Sequence, residues 1–329
     1  MPLLLILAGV LVLAFLLYLG YGGAWLQPGD VVRELLKGFT GDRANTTLWE
    51  IRLPRAIGCV LVGLMLSGVG SSFQALFRNP LADPYIVGVS SGAGVGGAIA
   101  IVYRSYLENM HLMWGSMGIM AFAFLGGLAS LALVFGIARR RGVVDVSTLL
   151  LAGVVVGSLL SALTTFVLYM AGQDTNKVLQ WLLGSMTPMF WDRLKIMAVV
   201  AALGVSILVL QARKLNAFAV GEATAKHLGI DTRRLKTIVL VTGTAMAAVC
   251  VGAVGIVGFL GLVAPHISRR LLGVDWRVSM PGALMIGPTL LLVSDVLSQR
   301  AMVNMELPVG VVTALLGAPF LLVLLRKKG

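Results

Sequence analysis

Charge is what this 329-residue chain has least of. Asp, Glu, Lys and Arg make up 12% of it, while 58% is hydrophobic and the mean hydropathy is +0.94. An ordinary soluble domain carries about 25% charged residues, so that class is excluded. Cysteine is nearly missing: Cys59 and Cys250 both fall inside apolar runs, where a thiol behaves as a small buried hydrophobe. They say nothing of redox compartment and suggest no metal site. No phosphate-loop ending of the Gly-Lys-Ser/Thr kind occurs anywhere, SSGAG at Ser90 to Gly94 included, so the chain has no recognisable ATP site of its own. No convincing Ser/His/Asp or paired-carboxylate arrangement is present, and His266 alone reads as a loop-facing or packing residue rather than a catalyst. No catalytic residue, bound cofactor or metal is expected.

What the chain has instead is apolar runs, at Leu3 to Leu19, Ala56 to Phe77, Tyr85 to Val102, Leu112 to Ala138, Val146 to Ala171, Ile196 to Leu210, Thr237 to Ile267, Val278 to Leu297 and Val309 to Leu325. Most approach the ~20 residues that a spanning helix needs. The expected fold is an all-α polytopic membrane protein that leaves no room for a soluble domain. Leu3 to Leu19 lacks a basic flank and a persuasive cleavage site, so it reads as the first span rather than a signal peptide. The net charge of +12 raises nucleic acid as a partner, but its distribution points to the lipid bilayer, because Lys and Arg concentrate in cytoplasmic loops. With Arg326-Lys327-Lys328 inside, counting spans backwards collects 16 of the 26 basic residues and 5 acids on that side, against 10 basic residues and 8 acids outside. Both termini are then expected in the cytoplasm.

The stretch VGAVGIVGFLGLVAPHISRR places Gly252, Gly255, Gly258 and Gly261 at every third residue inside such a run. Between Lys236 and Arg269 the chain must leave the cytoplasm and return, and only 32 residues are available where two full spans need about 40. One or both crossings must be short, with the reversal inside the membrane, where non-helical backbone is tolerated only if protein or a water-filled cavity surrounds it. Glycine suits such a turn and also close helix packing. A glycine-rich packing ridge on ordinary helices explains the glycines but not the shortage of residues.

Several polar stretches stand out. Pro28-Gly29-Asp30 opens a short helix ending near Gly38, and Pro54 starts the next span, so that Arg52 and Arg55 oppose its helix dipole. The two arginines either snorkel to lipid headgroups or meet a partner. Arg78 to Pro84 is a tight inner loop. In RKLNAFAVGEATAKHLGIDTRRLK, Glu222 to Leu228 reads as a short helix stopped by Gly229, with Val220, Ala223, His227 and Leu228 on one face. A helix this short is marginal alone. It is either a docking surface or an amphipathic helix on the headgroups. Met110, Met113, Met117 and Met120, with His111, read as packing before a soft-metal ladder. Asp295, with Arg300 five residues on, is a proton relay or a structural pair.

RLPR (Arg52 to Arg55), RNPLADPYIVGVSSGAG (Arg78 to Gly94), LLLAGV (Leu149 to Val154), GEATAKHLGI (Gly221 to Ile230), GFLGLVAPHISRRLLGVDWR (Gly258 to Arg277), SDVLSQR (Ser294 to Arg300) and ELPVGVVTALLGAPFLLVLL (Glu306 to Leu325) together resemble the ten-span permease subunits of bacterial ABC importers for iron-siderophores, haem and cobalamin. The likeness covers nearly the whole chain. It implies one transmembrane permease domain over 1–329 in the bacterial inner membrane, with a cytoplasmic coupling loop at about 211–236. It also implies a partnership with a second copy of the chain, two ATP-binding subunits that hold ATP and Mg, and an external substrate-binding protein. Ten spans require that Thr237 to Ile267 supply two. The resemblance makes Thr175 to Met186 a short helix bordering the pathway, and Arg52, Arg55 and Arg300 the contacts to the binding protein. Gly221, Glu222, Ala225, Leu228 and Gly229 become the coupling element, and Asn79, Leu81, Val146 and Ser147 the inner narrowing, although Val146 is less polar than that place calls for. The rival expectation is a carrier driven by an ion gradient through Asp295, which has no need of the Gly221 to Gly229 loop. An intramembrane enzyme centred on His266 and Asp295 lacks a nucleophile or metal set. The cargo is not named by any motif, and an iron complex comes first as the family's commonest load.

Overall fold

The computed structural model describes residues 2–21, 28–109, 116–140, 143–144, 146–187, 189–302 and 305–326. The helices in chain order are α1 (Pro2–Gly20), α2 (Pro28–Lys37), α3 (Arg43–Thr46), α4 (Leu53–Leu76), α5 (Val89–Val102), α6 (Arg104–Asn109), α7 (Ser116–Ala138) and α8 (Val146–Met170). They continue with α9 (Thr175–Leu182), α10 (Trp191–Leu210), α11 (Ala212–Val220), α12 (Glu222–His227), α13 (Thr232–Val254), α14 (Leu260–Leu272), α15 (Trp276–Arg300) and α16 (Val309–Arg326). A two-residue antiparallel ladder, Arg139–Arg140 with Val143–Val144, closes the turn between α7 and α8. Among the described residues seven helical runs are long and apolar enough to cross a membrane: α1, α4 with its preceding turn, α7, α8, α10, α13 and α15. Among the described residues the shorter apolar helices α5 and α16, with the 13-residue α14, bring the number to about ten.

The segment from Thr232 to Leu272 resolves the glycine question. α13 has 23 residues and crosses fully, because it starts inside the basic stretch at Thr232; the whole shortage falls on α14, with 13. At 1.5 Å per residue α14 is about 20 Å long against a hydrocarbon core of about 30 Å. The reversal at 255–259 therefore lies within the membrane's depth. It turns on Gly255 (φ +75°) and on Phe259, a non-glycine residue at φ +67°. The other glycines divide: Gly252 lets the backbone at Met120 of α7 approach, Gly261 lets Pro84 and α4 approach, and Gly258 faces open space.

α4 is the central helix, packed by α10, α13, α14 and α15, whereas α1 and α8 are mostly exposed along their lengths. α5 and α7 touch backbone to backbone: a side chain on Gly92 would strike the Gly126 carbonyl, and one on Gly126 the Gly92 carbonyl. Without a hydrophobic drive between spans, such small-residue contacts supply the dispersion that holds them together.

Other local expectations meet mixed outcomes. The short helix α2 ends at Lys37 before Gly38 (φ +74°), and α9 ends at Leu182 rather than Met186. Pro54 is the second residue of α4, as expected, but that helix is not a fresh start. A π-helical turn at Thr47–Arg52 runs straight into α4. Proline cannot donate to the ladder and crowds the carbonyl four residues before it, and the wider turn accommodates both faults. Arg52 therefore sits inside a helical run, where no helix end presents a dipole for it to oppose. Met120 is buried against α13, which is packing; Met110, His111 and Met113 lie outside the described residues.

Candidate functional site

At the end of the bundle where α1 finishes, Arg52 and Arg300 meet the end of α1 and Arg55 lies beneath, joined to Tyr18 through Asp295. Arg52 donates from Nη1 to the Leu19 carbonyl (2.9 Å), and exposed Arg300 lies over the Tyr21 ring at 4.4 Å. Arg55, only 8% exposed, is an internal residue. Its Nε and Nη2 donate to the Asp295 carboxylate at 2.8 and 3.0 Å, and its Nη1 and Nη2 to Glu306 at 3.2 and 2.9 Å. Asp295, fully buried, also accepts from Tyr18 Oη (2.5 Å) and Gln299 Nε2 (2.9 Å).

Two expectations are corrected here. Asp295 pairs with Arg55 and not with Arg300, because Arg300 sits five positions on and points to α1. Arg55 is no open docking cation, because four of the guanidinium's five N–H donors already serve internal carboxylates. The exposed edge of this face is Arg300 with half-buried Arg52. Glu306 belongs to the face as well; its signal was the ELPVG motif, which carries a carboxylate in a chain with few. Burial pushes the Glu306 carboxyl up, but the hydrogen bonds and charge of Arg55, with the Thr187 hydrogen bond, together outweigh it and hold the group below the usual glutamate range.

At the opposite end, α11 and α12 form a short angled pair joined at Gly221. α12 stops with Gly229 at φ +77°, as its sequence demanded. Glu222 clamps the element: its carboxylate accepts from Lys236 Nζ (2.8 Å) and Thr232 Oγ1 (3.2 Å), with Lys226 at 3.4 Å. Burial raises the Glu222 carboxyl, but the hydrogen bonds and charges of Lys236 and Lys226 together outweigh it and hold the group below the usual glutamate range, so the clamp is lost only as pH falls through the lowered value. Ala225 is fully buried, which corrects its place among contact residues: on a six-residue helix one face must pack on the chain itself. The outward face presents Val220 (77% exposed) and Leu228 (66%).

Asn216 of α11, unforeseen from the sequence, ties this element to the turn before α15. Its Nδ2 donates to Asp275 (2.6 Å) and its Oδ1 accepts from Trp276 N (2.8 Å). Arg277 first, then Asn216, holds the Asp275 carboxyl well below the usual aspartate range. From Trp276 the connection enters the bundle: Trp276 Nε1 donates to the Ser71 carbonyl (2.9 Å), Arg269 to Gln74 Oε1 (2.5 Å), and Gln74 Nε2 to the Gly261 carbonyl (3.1 Å) at the start of α14.

Of the inner-narrowing residues, Asn79 closes an Asx turn by accepting from Leu81 N (2.9 Å), and Leu81 and Ser147 are exposed. Val146 opens α8, and its side chain lies outside the described residues.

Among the described residues, seven long apolar helices with shorter ones beside them, and a broken pair at 255–259, define a polytopic membrane protein. The chain belongs to the FecCD transport family, which it matches over residues 10–327. It is 37% identical over 328 residues to the vitamin B12 import system permease protein BtuC of Escherichia coli O17:K52:H18, covering 99% of this chain and 95% of that protein. Identity is again 37%, over 287 residues, to the cobalamin import system permease protein BtuC of Halobacterium salinarum, covering 87% and 75%. A solved inward-facing conformation of a metal-chelate-type ABC transporter superposes with a TM-score of 0.84 at 30% identity, covering 99% of both chains. These relatives are transporter subunits and not enzymes, and this chain is an ABC transporter permease.

Proposed function

We propose that the chain forms the membrane path of an ATP-driven importer for a bulky metal chelate, with cobalamin as the first cargo to test. The two relatives above are named for that cargo, which puts it ahead of an iron complex or haem. The observation that carries the ATP-driven reading is the clamped pair α11–α12, which exposes Val220 at the end of α11 and Leu228 just after α12 on an otherwise polar loop. Such a face suits a protein partner, and an ion-coupled carrier has no use for it. ATP and Mg are held by two such partner subunits, so this chain performs no covalent chemistry. Nucleotide binding there biases the path between outward- and inward-facing states. A second copy of the chain completes the path, with the exposed faces of α8 and the inner residues Asn79, Leu81, Val146 and Ser147 bordering it. Arg52 and Arg300 meet acidic side chains of an external substrate-binding protein, acting mainly through encounter rate and register. Nucleic acid has no part.

In this orientation both termini and α11–α12 face the cytoplasm of a cell whose inner membrane holds the chain. Lys214→Cys, at an exposed site, should react with a membrane-impermeant maleimide only after the membrane is opened; labelling of intact cells overturns the orientation.

Leu228→Asp is the test of the partner. The side chain is exposed, so folding should be unchanged, while burying an uncompensated charge against the ATPase should weaken its retention by at least about tenfold. Full retention on affinity purification would remove α12 from the interface.

A further inference from the structure

Arg55 has two faces in different surroundings. Its Nε/Nη2 edge holds Asp295, which no solvent reaches, and its Nη1/Nη2 edge holds Glu306, whose side chain is 44% exposed. The first pair is a structural anchor; the second is open to exchange. With both edges filled, an incoming carboxylate gains Arg55 only by displacing one of the two, and the exposed one gives way at lower cost.

Glu306 also leads inward. Its Oε2 accepts from Thr187 Oγ1 (3.1 Å), and Thr187 N is held by Ser185 Oγ (3.1 Å). Ser185 N donates to the Val254 carbonyl (2.8 Å), the last residue of α13. One residue earlier, Gly184 (φ +80°) is pressed so close that an added side chain would meet the Ile256 carbonyl at 2.6 Å. Gly310, one residue inside α16, is wedged between the carbonyls of Leu183 and Ile256. Glu306 therefore fastens the connection before α16 to Arg55 of α4 and, through Thr187, to the 183–187 segment that rests on the reversal at 255–259.

We propose that Glu306 is an internal competitor for the docking partner: it occupies the outer edge of Arg55 when nothing is docked, and an acidic side chain of the external binding protein displaces it. Displacement frees Thr187 and loosens the 183–187 segment over the intramembrane turn, which passes the docking event to the outer end of the path. This rests on the docking reading of Arg52 and Arg300 given above and adds a trigger beneath them.

The test uses the full assembly in lipid nanodiscs, with the binding protein from the same source that restores uptake. Two readouts are taken: docking affinity, and hydrogen exchange at the Ser185 and Gly310 amides. Glu306→Gln keeps the shape and an acceptor for Thr187 but removes the charge. If the closed latch holds most of the undocked population, its removal should tighten docking by about threefold to tenfold. Exchange at Ser185 should then be fast without the binding protein, whereas in the native chain docking should be needed to speed it. Thr187→Val leaves the Arg55–Glu306 pair intact but removes the hydrogen bond that docking must break, so it should speed Ser185 exchange and, by linkage, tighten docking by no more than about threefold, and this holds even if Glu306→Gln folds poorly. Arg300→Glu is the control for docking itself. If Arg300→Glu weakens docking while Glu306→Gln docks like the native chain and Ser185 exchange is unmoved by docking, the latch is overturned and the docking face stands. If Arg300→Glu docks unchanged at low salt, the docking face fails and takes the latch with it.

Discussion

Arg55→Met should lower the melting midpoint in detergent by about 10 °C, where Arg300→Ala, at the same end of the bundle, should not. The difference lies in what each leaves behind. Asp295 is fully buried and draws two of its four hydrogen bonds from Arg55. Removing one partner of a buried ion pair strands the other, at about 3–5 kcal/mol. For a chain of this size that lowers the melting midpoint by about 10 °C. The companion variant makes the cause visible. Arg55→Met with Asp295→Leu removes both charges, and replacing a buried pair by apolar groups is often neutral, so most of the loss should be recovered. What stays lost is the acceptor for Tyr18 and Gln299, about 1–3 kcal/mol if either is left unsatisfied. A single Arg55→Met variant that melts with the native chain would show that the pair contributes nothing to the fold.

Gly255→Ala should be nearly as damaging, and Gly258→Ala nearly silent, though the two lie three residues apart in one glycine series. Gly255 sits at φ +75°, ψ −162°, a region that is essentially glycine's alone. A methyl there brings about 1–3 kcal/mol of backbone strain. It also collides with the Trp181 carbonyl of α9, adding about 1–3 kcal/mol of overpacking. A methyl on Gly258 meets nothing within 4 Å. Circular dichroism melts of both variants in the same detergent decide it. Equal stability would mean that the turn tolerates any residue and that the glycines are a packing ridge only.

The contrast marks how far the sequence could be read. A shortage of residues is arithmetic, so a reversal between Lys236 and Arg269 was legible, and so was Gly229 as a helix stop. Which crossing is short was not legible, because the charged stretch taken as a loop boundary, Arg233 to Lys236, lies inside α13, with Lys236 neutralised by Glu222. The outer arginines were legible as a group through RLPR and SDVLSQR. Their different fates were not, since Arg55 and Asp295 lie 240 residues apart and pairing them needs the rotational phase of both helices. Ala225 shows the same limit in small: the motif that contains a contact surface also contains the residue that anchors it. Asn216 and Gln74 carried no signal beyond being polar amides near or within a span, and their value lies only in the carbonyls and carboxylates they meet.

If the proposal holds, this permease moves cargo only through a partner ATPase seated on α11–α12. Proteoliposomes holding the permease, with and without the ATP-binding subunits and with the binding protein outside, should be loaded with ATP and offered radiolabelled cobalamin. Uptake should require the ATPase and fall by at least about tenfold with Leu228→Asp. Uptake that proceeds without ATPase under an imposed ion gradient, and that Leu228→Asp leaves untouched, would contradict the account and favour an ion-coupled carrier.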